Sequence, residues 1–454
     1  MDSSMYTDLE ARLRAWVELE LGVPVTELAL IPGGASRRSY KVNRGAAAPV
    51  FLRVDSGEGP LSGTQFTLAR EWSFLKPISD RGYPAPGVIA FSPELNAILM
   101  EHIEGQTSYQ ASLPPAEQRA MERALIDCVV DLQRIPPDEL GLAEYAGVDT
   151  VGEAVSSILA VWQQLYTDTV SFKDPAVDYA LEWLKHNVPD ATEPAVLVHG
   201  DVGPGNFLFR PNGEIAALID WELVRVGHPL EDLACILCRA LGVSFGSPEQ
   251  LVADFAASSG KAVNHRALDY AVVLVIGEWC VGIHRALSRP NVQLDMAMLY
   301  IWGHANRHEM LRKLAGLAGR ELPAEPVLDD SAFELDFLGN YIEDSLSSVL
   351  LPAAKEVFVS HRLNRLVQLQ KIQDSLLRYG RARYEAEDIE RAGLLLGQRF
   401  ASQAEAMAAL IARAPAAARE SDVAFLDFLL WRSVRERALL RRAMGEMADR
   451  SIRY

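Results

Sequence analysis

One stretch of the chain, residues 196–222, constrains its fold more than any other part of the sequence. Two apolar runs flank Asn212 and Gly213 there, and an Asn-Gly pair between such runs is the strongest short-range signal for a β-hairpin. With these two residues as the loop, Phe209 is expected to pair with Ala216 on the returning strand. The sequence therefore predicts a tight two-residue hairpin whose strands keep a fixed register.

The same register gathers polar side chains at the open end of the hairpin. Asn206 is expected to face Ile219, so the returning strand delivers Asp220 beside Asn206, at the end where Asp201 enters. Clustered carboxylates repel each other, and a divalent cation is the usual remedy. We therefore expect oxygen atoms of Asn206 and Asp220 to bind Mg²⁺, which leaves Asp201 to accept a proton from a hydroxyl group. The alternative is that these residues only cap turns and bond local backbone.

The residues of this stretch resemble the signature of the aminoglycoside phosphotransferase and choline kinase family, which has a bilobal protein-kinase-like fold. The matching positions are His199-Gly200-Asp201, Asn206 and Ile219-Asp220-Trp221-Glu222. The resemblance covers about residues 5–319. It implies that Asp201 is the catalytic base and that Asn206 and Asp220 hold Mg²⁺.

The resemblance also implies supporting roles for three neighbouring residues. His199 would shape the loop that carries Asp201. Asp232, in the segment Gly227-His-Pro-Leu-Glu-Asp, would be a structural carboxylate. Glu222 would be an outer-sphere partner of the metal.

The first hundred residues fit the same architecture. Apolar runs typical of short strands occur at 28–31, 39–42, 50–54, 87–91 and 97–103. Helical patterns precede them and separate the third run from the fourth, with the second helix expected at about 64–79. A Gly33-Gly34 turn would let backbone N–H groups approach phosphates, and Ser36 would add a hydroxyl group.

Four further residues near the nucleotide are implied by the resemblance. Arg53 stands where the family usually has a phosphate-binding lysine on the third strand, and Glu71 on the following helix would be its ion-pair partner. Arginine keeps the charge and binds phosphate through two hydrogen bonds, and the alternative is a solvated strand residue. Glu101 and Ile103 would belong to the hinge whose backbone meets the adenine.

The chain of 454 residues is long enough for two or three domains. We expect residues 1–105 to form an N-lobe, 106–320 a C-lobe and 321–454 a helical C-terminal domain. Pro323 and Pro326 indicate a linker before that domain. Four helices are expected beyond it, with long helical patterns at 386–413 and 422–450.

Composition excludes several classes of protein. Lys and Arg number 44 and Asp and Glu 61, and a net charge of −17 argues against a nucleic-acid partner. No run of 18 apolar residues occurs, so no membrane span is expected. The four cysteines do not make a disulfide framework, which favours a reduced, cytoplasmic protein.

The function expected from these observations is transfer of the γ-phosphate of ATP, or of another nucleoside triphosphate, to a hydroxyl group of a small molecule, with Mg²⁺. Phe51-Leu52-Arg53 and the helical extension resemble most a branch of the family found fused to, or beside, acyl-CoA dehydrogenases. That branch implies a hydroxyacyl thioester or a similar metabolite as acceptor. An aminoglycoside or amino-alcohol kinase, and a nucleotide-binding regulatory protein without catalysis, are the alternatives. The C-terminal helices are expected to contact the kinase-like lobes or a second copy in a homo-oligomer.

Overall fold

The computed structural model describes residues 3–31, 37–55, 57, 61, 63–107, 113–142, 147–290, 294–327 and 336–454. The chain divides into two compact units, and each unit uses separate parts of the sequence. The first contains residues 1–154, 191–263 and 454, and the second contains residues 155–190 and 264–453. These units do not test the three expected domains, whose boundaries stay a prediction.

The elements are numbered in chain order within the described residues. The strands are β1 (Glu27–Ile31), β2 (Arg38–Arg44), β3 (Ala47–Val54), β4 (Val88–Ser92), β5 (Ala97–Glu101), β6 (Val196–Val198), β7 (Phe207–Phe209), β8 (Ile215–Leu218) and β9 (Arg225–Gly227). The helices of the first unit are α1 (Ser3–Leu21), α2 (Leu68–Asp80), α3 (Pro115–Gln133), α6 (Glu231–Arg239) and α7 (Pro248–Ser259). Helix α4 (Val151–Thr169) begins in the first unit and continues in the second. The second unit also contains α5 (Pro175–His186), α8 (His265–Ser288), α9 (Met296–Leu317), α10 (Asp336–Asp344), α11 (Leu351–Ala353), α12 (Val357–Tyr379), α13 (Arg381–Leu396), α14 (Gln403–Arg419) and α15 (Val423–Met444). Single turns of 3₁₀-helix lie at Pro137–Leu140, Trp221–Leu223 and Gly445–Asp449, and a π-helix lies at Ser345–Leu350.

The first unit is built on a five-stranded antiparallel sheet with the order β1-β2-β3-β5-β4. All five strands expected from the sequence are present. Val42 and Leu52 are fully buried and pack in one core with Leu13 and Val17 of α1. Because side chains alternate along a strand, one face of the sheet supplies this core.

Helix α2 follows the central strand β3 and places Glu71 near the sheet. The Thr67 side chain caps the helix by accepting a hydrogen bond from the N–H of Arg70 at 3.2 Å. The helix therefore begins at Leu68, four residues later than the sequence pattern indicated. Phe74 and Ile78 on its inner face are fully buried.

The hairpin of β7 and β8 has the expected register at its open end and a different loop. Phe207 pairs with Leu218, as expected, but a bulge shifts Phe209 from Ala216 to Ile215. The loop contains three residues, Pro211 to Gly213, because Arg210 and Glu214 close it through the N–H of Arg210 and the carbonyl of Glu214 at 2.9 Å. Proline at the second position of the turn fixes φ near −65°, which favours a type I turn followed by a left-handed glycine over a two-residue type I′ turn. Gly213 has φ of 81°.

Helices make up the second unit, and its C-terminal part differs from the four helices expected. The continuous pattern predicted over 386–413 is wrong: α13 ends at Leu396, and Gly397 follows with φ of 66°. The Ser402 side chain then caps α14 by accepting from the N–H of Glu405. A left-handed glycine and a new N-cap together stop one helix and start another.

By length and composition alone, helix α8 could cross a membrane. The sequence pattern did not indicate this, because charged and polar residues interrupt the apolar run of the helix. Of its most apolar stretch of 18 residues, 72% is buried inside the protein. Burial of this extent is typical of a core helix and is consistent with a soluble protein. A cytoplasmic location stays a prediction.

Candidate active site

The loop after β6 is held by a carboxylate from α6. Both oxygens of Asp232 accept backbone hydrogen bonds, from the N–H of His199 and the N–H of Gly200, each at 2.9 Å. Asp232 is fully buried, and burial raises its pKa to about 7, although the two N–H donors oppose the shift. A carboxylate that satisfies two successive N–H groups fixes the direction in which the chain leaves the strand. The structural role expected for Asp232 agrees with these contacts.

His199 is buried behind the same loop. Its Nε2 atom lies 3.1 Å from the carbonyl of Ile219, and its Nδ1 atom lies 3.4 Å from the N–H of Asp201. These neighbours assign the proton to Nε2 and leave Nδ1 as an acceptor. Burial lowers the pKa of His199 to about 4, so the ring is neutral at physiological pH. The neutral ring connects the loop to the end of the hairpin.

Asp201 carries the best-defined set of contacts in the site. Arg239, at the end of α6, binds both of its carboxylate oxygens, with Nε at 3.1 Å from Oδ1 and a terminal nitrogen at 2.6 Å from Oδ2. The amide nitrogen of Asn206 donates to Oδ2 and to the backbone carbonyl of Asp201, each at 2.8 Å. Burial raises the pKa of Asp201 above its ordinary value even though Arg239 opposes the shift.

Asn206 and Asp220 meet at the open end of the hairpin, as the register predicted. The backbone N–H of Ile219 donates to the carbonyl of Asn206 at 3.0 Å, so the next residue, Asp220, lies beside this pair. Because both amide hydrogens of Asn206 are used by Asp201, its amide oxygen is turned away from Asp201. Asp220 adopts a left-handed backbone, with φ of 68°.

These two side chains fit a magnesium ion that also binds phosphate. One amide oxygen and one carboxylate are ligands that Mg²⁺ accepts, and it usually takes its remaining ligands from water and phosphate. In the part of the chain that the structure describes, no group of three or more His, Cys, Asp or Glu side chains could hold a metal by itself. The donor set thus suits a cation that arrives with a nucleotide better than a permanently bound one.

Arg53 is buried on β3 and contacts three carboxylates. One terminal nitrogen lies 3.0 Å from Glu71 on α2, and the other lies 2.5 Å from Asp220 and 3.0 Å from Glu222. The ion pair expected between Arg53 and Glu71 is therefore present. A second arginine, Arg37, also binds Glu71 and donates to the carbonyl of Phe66.

The charges around Arg53 set the ionisation of its partners. Burial alone would raise the pKa of Asp220, but the charge and hydrogen bond of Arg53 lower it below the ordinary value. Burial and the adjacent charge of Asp220 raise the pKa of Glu222 to about 8. The pKa values of two acidic side chains two positions apart are therefore shifted in opposite directions, down for Asp220 and up for Glu222.

The remaining predicted residues are placed as follows. Glu101 ends β5, where its N–H donates to the carbonyl of Gly87 at 2.8 Å, and Ile103 follows in irregular chain. Gly33, Gly34 and Ser36 lie outside the described residues.

Sequence reasoning missed two arginines, Arg239 and Arg37. Arg239 lies seven residues after Asp232 on one helix, and this spacing puts both side chains on the same face, toward the loop of Asp201. That spacing is a signal the sequence contained. Arg37 had no comparable signal, because its partner Glu71 is 34 positions away on another element.

Comparison with known families decides what class of protein carries this site. The model of the phosphotransferase enzyme family matches residues 27–270, more than half of the chain. The chain belongs to the phosphotransferase enzyme family. The matched segment contains Arg53, Asp201 and Asp220. The expected α+β fold, with a small antiparallel sheet followed by mostly helical chain, is confirmed.

Individual relatives of this phosphotransferase are more distant. The rat protein named acyl-CoA dehydrogenase family member 11 is 30% identical over 211 residues, which cover 44% of this chain and 26% of that protein. The phosphotransferase thus spans about a quarter of the length of the curated relatives it matches. Among solved structures, a thermostable mutant of an aminoglycoside phosphotransferase is 20% identical, with a TM-score of 0.48 over 67% of this chain and 99% of the other. A Plasmodium vivax ethanolamine kinase is 14% identical, with a TM-score of 0.46 over 62% and 81%.

Proposed function

We propose that this phosphotransferase uses ATP and Mg²⁺ to phosphorylate the hydroxyl group of a small molecule, and that this acceptor is a hydroxyacyl thioester or a similar metabolite. One observation carries the proposal. Asp201, Asn206 and Asp220 converge at one end of a hairpin, with an arginine on the central strand bound to Asp220. Such a set, a proton acceptor beside two oxygen ligands and a cation, suits transfer of a phosphoryl group.

Each side chain has a distinct part in the proposed reaction. Asp201 orients the acceptor hydroxyl and takes its proton as the hydroxyl oxygen bonds to the γ-phosphorus, whose bond to the bridging oxygen breaks so that ADP leaves. Asn206 and Asp220 supply the oxygen atoms that hold Mg²⁺, whose chemistry is to neutralise charge on the phosphate oxygens. Arg53, fixed by Glu71, adds positive charge beside the same phosphates. Catalysis of this kind depends mainly on positioning and on electrostatic stabilisation.

The acceptor class is supported by the nature of the relatives. The rat and human relatives are named as members of the acyl-CoA dehydrogenase family, and the similarity covers 44% and 46% of this chain. If a kinase-like segment and an acyl-CoA dehydrogenase act on the same metabolite, that metabolite needs a thioester for the dehydrogenase and a hydroxyl group for the kinase. That relation favours hydroxyacyl thioesters over amino alcohols.

The proposal is tested by release of ADP from MgATP with a panel of acceptors. The panel contains hydroxybutyryl-coenzyme A, butyryl-coenzyme A as its control without the hydroxyl group, choline, ethanolamine and kanamycin. We expect turnover with the hydroxylated thioester and none with butyryl-coenzyme A. Turnover only with choline, ethanolamine or kanamycin would mean that the acceptor is an amino alcohol or an aminoglycoside and not a thioester. Nucleotide binding without any turnover would favour a regulatory protein.

The role of Asp201 is tested in the same assay. We expect Asp201→Asn to lose phosphoryl transfer by about 10²–10⁴-fold, the usual contribution of a general base. Its affinity for MgATP, measured by calorimetry, should stay near that of the wild type, because Asn206 and Asp220 are intact. A variant that turns over at near the wild-type rate would contradict the role.

A further inference from the structure

Arg239 makes an unusually complete set of contacts with the loop of Asp201. Its guanidinium group binds Asp201 through two nitrogens, and the third nitrogen donates to the carbonyl of Pro204 at 3.1 Å. The side chains of Arg239 and Asp201 are each 16% exposed. Every nitrogen of the guanidinium group is therefore directed at the loop, and little of it is available to water.

The loop is built around this arginine. A Cβ atom at Gly203 would lie 2.8 Å from Cδ of Arg239 and 3.3 Å from Cα of Ile236, so only glycine lets the arginine stem pass. A Cβ atom at Gly205 would lie 3.6 Å from a terminal nitrogen of Arg239. Gly203 and Gly205 also have φ of 142° and 98°, a region that suits glycine. The arginine therefore excludes a side chain at Gly203, whereas the 3.6 Å distance at Gly205 is an ordinary van der Waals contact.

These contacts leave the two oxygens of Asp201 unequal. Oδ2 accepts from Arg239 and from Asn206, which uses the two lone pairs of a carboxylate oxygen. Oδ1 accepts from Nε of Arg239 and keeps one lone pair for another donor. A planar guanidinium that binds both oxygens also fixes the plane of the carboxylate.

We propose that Arg239 is a positioning residue, which acts through Asp201 by fixing the carboxylate plane so that Oδ1 faces the acceptor hydroxyl. This inference rests on the proposed function of Asp201. Through the hydrogen bond of Asn206 to Oδ2, the same contact keeps the amide oxygen of Asn206 directed away from Asp201. Arg239 therefore orients the proton acceptor directly and one metal ligand indirectly.

The test is a double-mutant cycle of Arg239→Ala and Asp201→Asn. Release of ADP from MgATP is measured with hydroxybutyryl-coenzyme A and, independently of any acceptor, with water. We expect Arg239→Ala to lower kcat by about 10²-fold, the effect of a misplaced group, with the KM for MgATP changed less than threefold. In the Asp201→Asn background the same substitution should have little further effect, because a residue that acts through a partner has nothing to act on once the partner is changed.

Chemical rescue separates positioning from a structural role. Guanidinium ion at millimolar concentration should restore part of the activity of Arg239→Ala and leave Asp201→Asn unchanged. Arg239→Lys keeps the charge without the two-point contact, so it should retain the wild-type melting temperature and still lose at least tenfold in kcat. The matched control is Arg119→Ala, which breaks another pair between an arginine and a buried carboxylate, Asp254, at 2.5 Å. Its activity should be unchanged.

Three outcomes would overturn the inference. Activity of Arg239→Ala within twofold of the wild type, or an effect that adds fully to that of Asp201→Asn, would show that Arg239 does not act through Asp201. If Arg239→Ala does not fold, the test rests on Arg239→Lys. A kcat of Arg239→Lys within twofold of the wild type would then refute the positioning role of Arg239. An unchanged rate in Asp201→Asn alone would instead refute the proposed function, so the two failures can be told apart.

Discussion

The guanidinium group of Arg53 does something that a lysine at this position could not do. It reaches Glu71 with one nitrogen and both Asp220 and Glu222 with the other. A lysine amine is a point charge without a fork, so it would not bind carboxylates on two sides in a fixed plane. Asp220 therefore has a positive partner already, and the proposed metal ion would share this carboxylate with Arg53.

Asp220→Ala is expected to abolish Mg²⁺-dependent binding of ATP and leave the fold intact. The variant removes the only carboxylate among the two proposed metal ligands, and the 35% exposure of the Asp220 side chain makes its loss tolerable for folding. Calorimetry with MgATP measures the binding, and circular dichroism checks the fold. The control is Asp80→Ala, an exposed carboxylate paired with Lys76 on α2. Unchanged MgATP affinity in Asp220→Ala would place the metal elsewhere.

A second prediction at this scale concerns the buried ring of His199. Its pKa is lowered to about 4 by burial, below the value near 6.5 of an unfolded chain, so the unfolded state binds more protons between these values. The stability that this group contributes is present above pH 6.5 and is lost as the pH falls toward 4. We expect the loss between pH 7.5 and pH 5 to be about 2 kcal/mol.

The measurement compares urea unfolding of the wild type and of His199→Gln at the two pH values. Glutamine cannot gain a proton, so the variant should lose about 2 kcal/mol less on acidification than the wild type does. Equal losses in both proteins would mean that the ring is not held neutral.

At the scale of elements, the sequence predicted more about where side chains meet than about how the chain turns. The pairing of Asn206 with Ile219 is determined by alternation along two strands, a local pattern that the residues themselves display. The length of the loop between β7 and β8 depended on Pro211, because its preference for the second position of a type I turn outweighed the Asn-Gly signal. Arg37 had no such local signal, because its contact with Glu71 joins elements 34 positions apart.

The loop after β6 gives a prediction about one glycine. Gly200 has φ of 81°, and a Cβ atom there would lie 2.4 Å from the carbonyl oxygen of Leu223. Backbone cannot give way as a flexible side chain does, so Gly200→Ala should destabilise the fold by about 3 kcal/mol, the left-handed strain and the overlap together. Gly141→Ala is the matched control, with φ of 68° and no atom within 4 Å of its Cβ.

Urea unfolding of both variants separates the two contributions. Gly141→Ala should cost only about 1 kcal/mol, the strain of a left-handed alanine. Equal costs for the two variants would show that the loop yields around Gly200 and that the close approach to Leu223 does not constrain it.

At the scale of the whole molecule, the C-terminal helices are part of the second unit and not an appendage to it. Phe425 of α15 stacks on Tyr179 of α5, with ring centroids 5.9 Å apart. Glu436 of α15 binds Arg307 of α9 and lies 3.2 Å from Arg432. Burial alone would raise the pKa of Glu436, but these two arginines hold it well below its ordinary value. The expected contact of these helices with earlier parts of the chain is present, and a homo-oligomer stays a prediction.

Glu436→Ala should therefore destabilise the second unit strongly. It leaves the guanidinium of Arg307, which is 7% exposed, without one of its two carboxylate partners, and removal of one member of a buried ion pair typically costs about 3–5 kcal/mol. Differential scanning calorimetry would detect the loss as a lower melting temperature. The control is Asp427→Ala, which lies on α15 like Glu436 and removes an exposed partner of Arg320. It should change the free energy of unfolding by less than about 1 kcal/mol. Similar effects of the two variants would mean that the buried network does not hold the unit together.

The interleaving of the two units has a consequence for the order in which the newly made chain can fold. The first unit has all of its elements once residue 263 has been synthesised, whereas the second requires residue 453. Helix α5 is synthesised early, but its N-cap residue Asp174 binds Arg307 and Arg432. These two arginines lie 133 and 258 positions later in the chain and are therefore made long after the helix. A ribosome-bound nascent chain of this length would thus carry all elements of the first unit together with α4 and α5, before the later helices of the second unit have been made. The apolar faces that α4 and α5 later bury in the second unit would be the surface open to a chaperone.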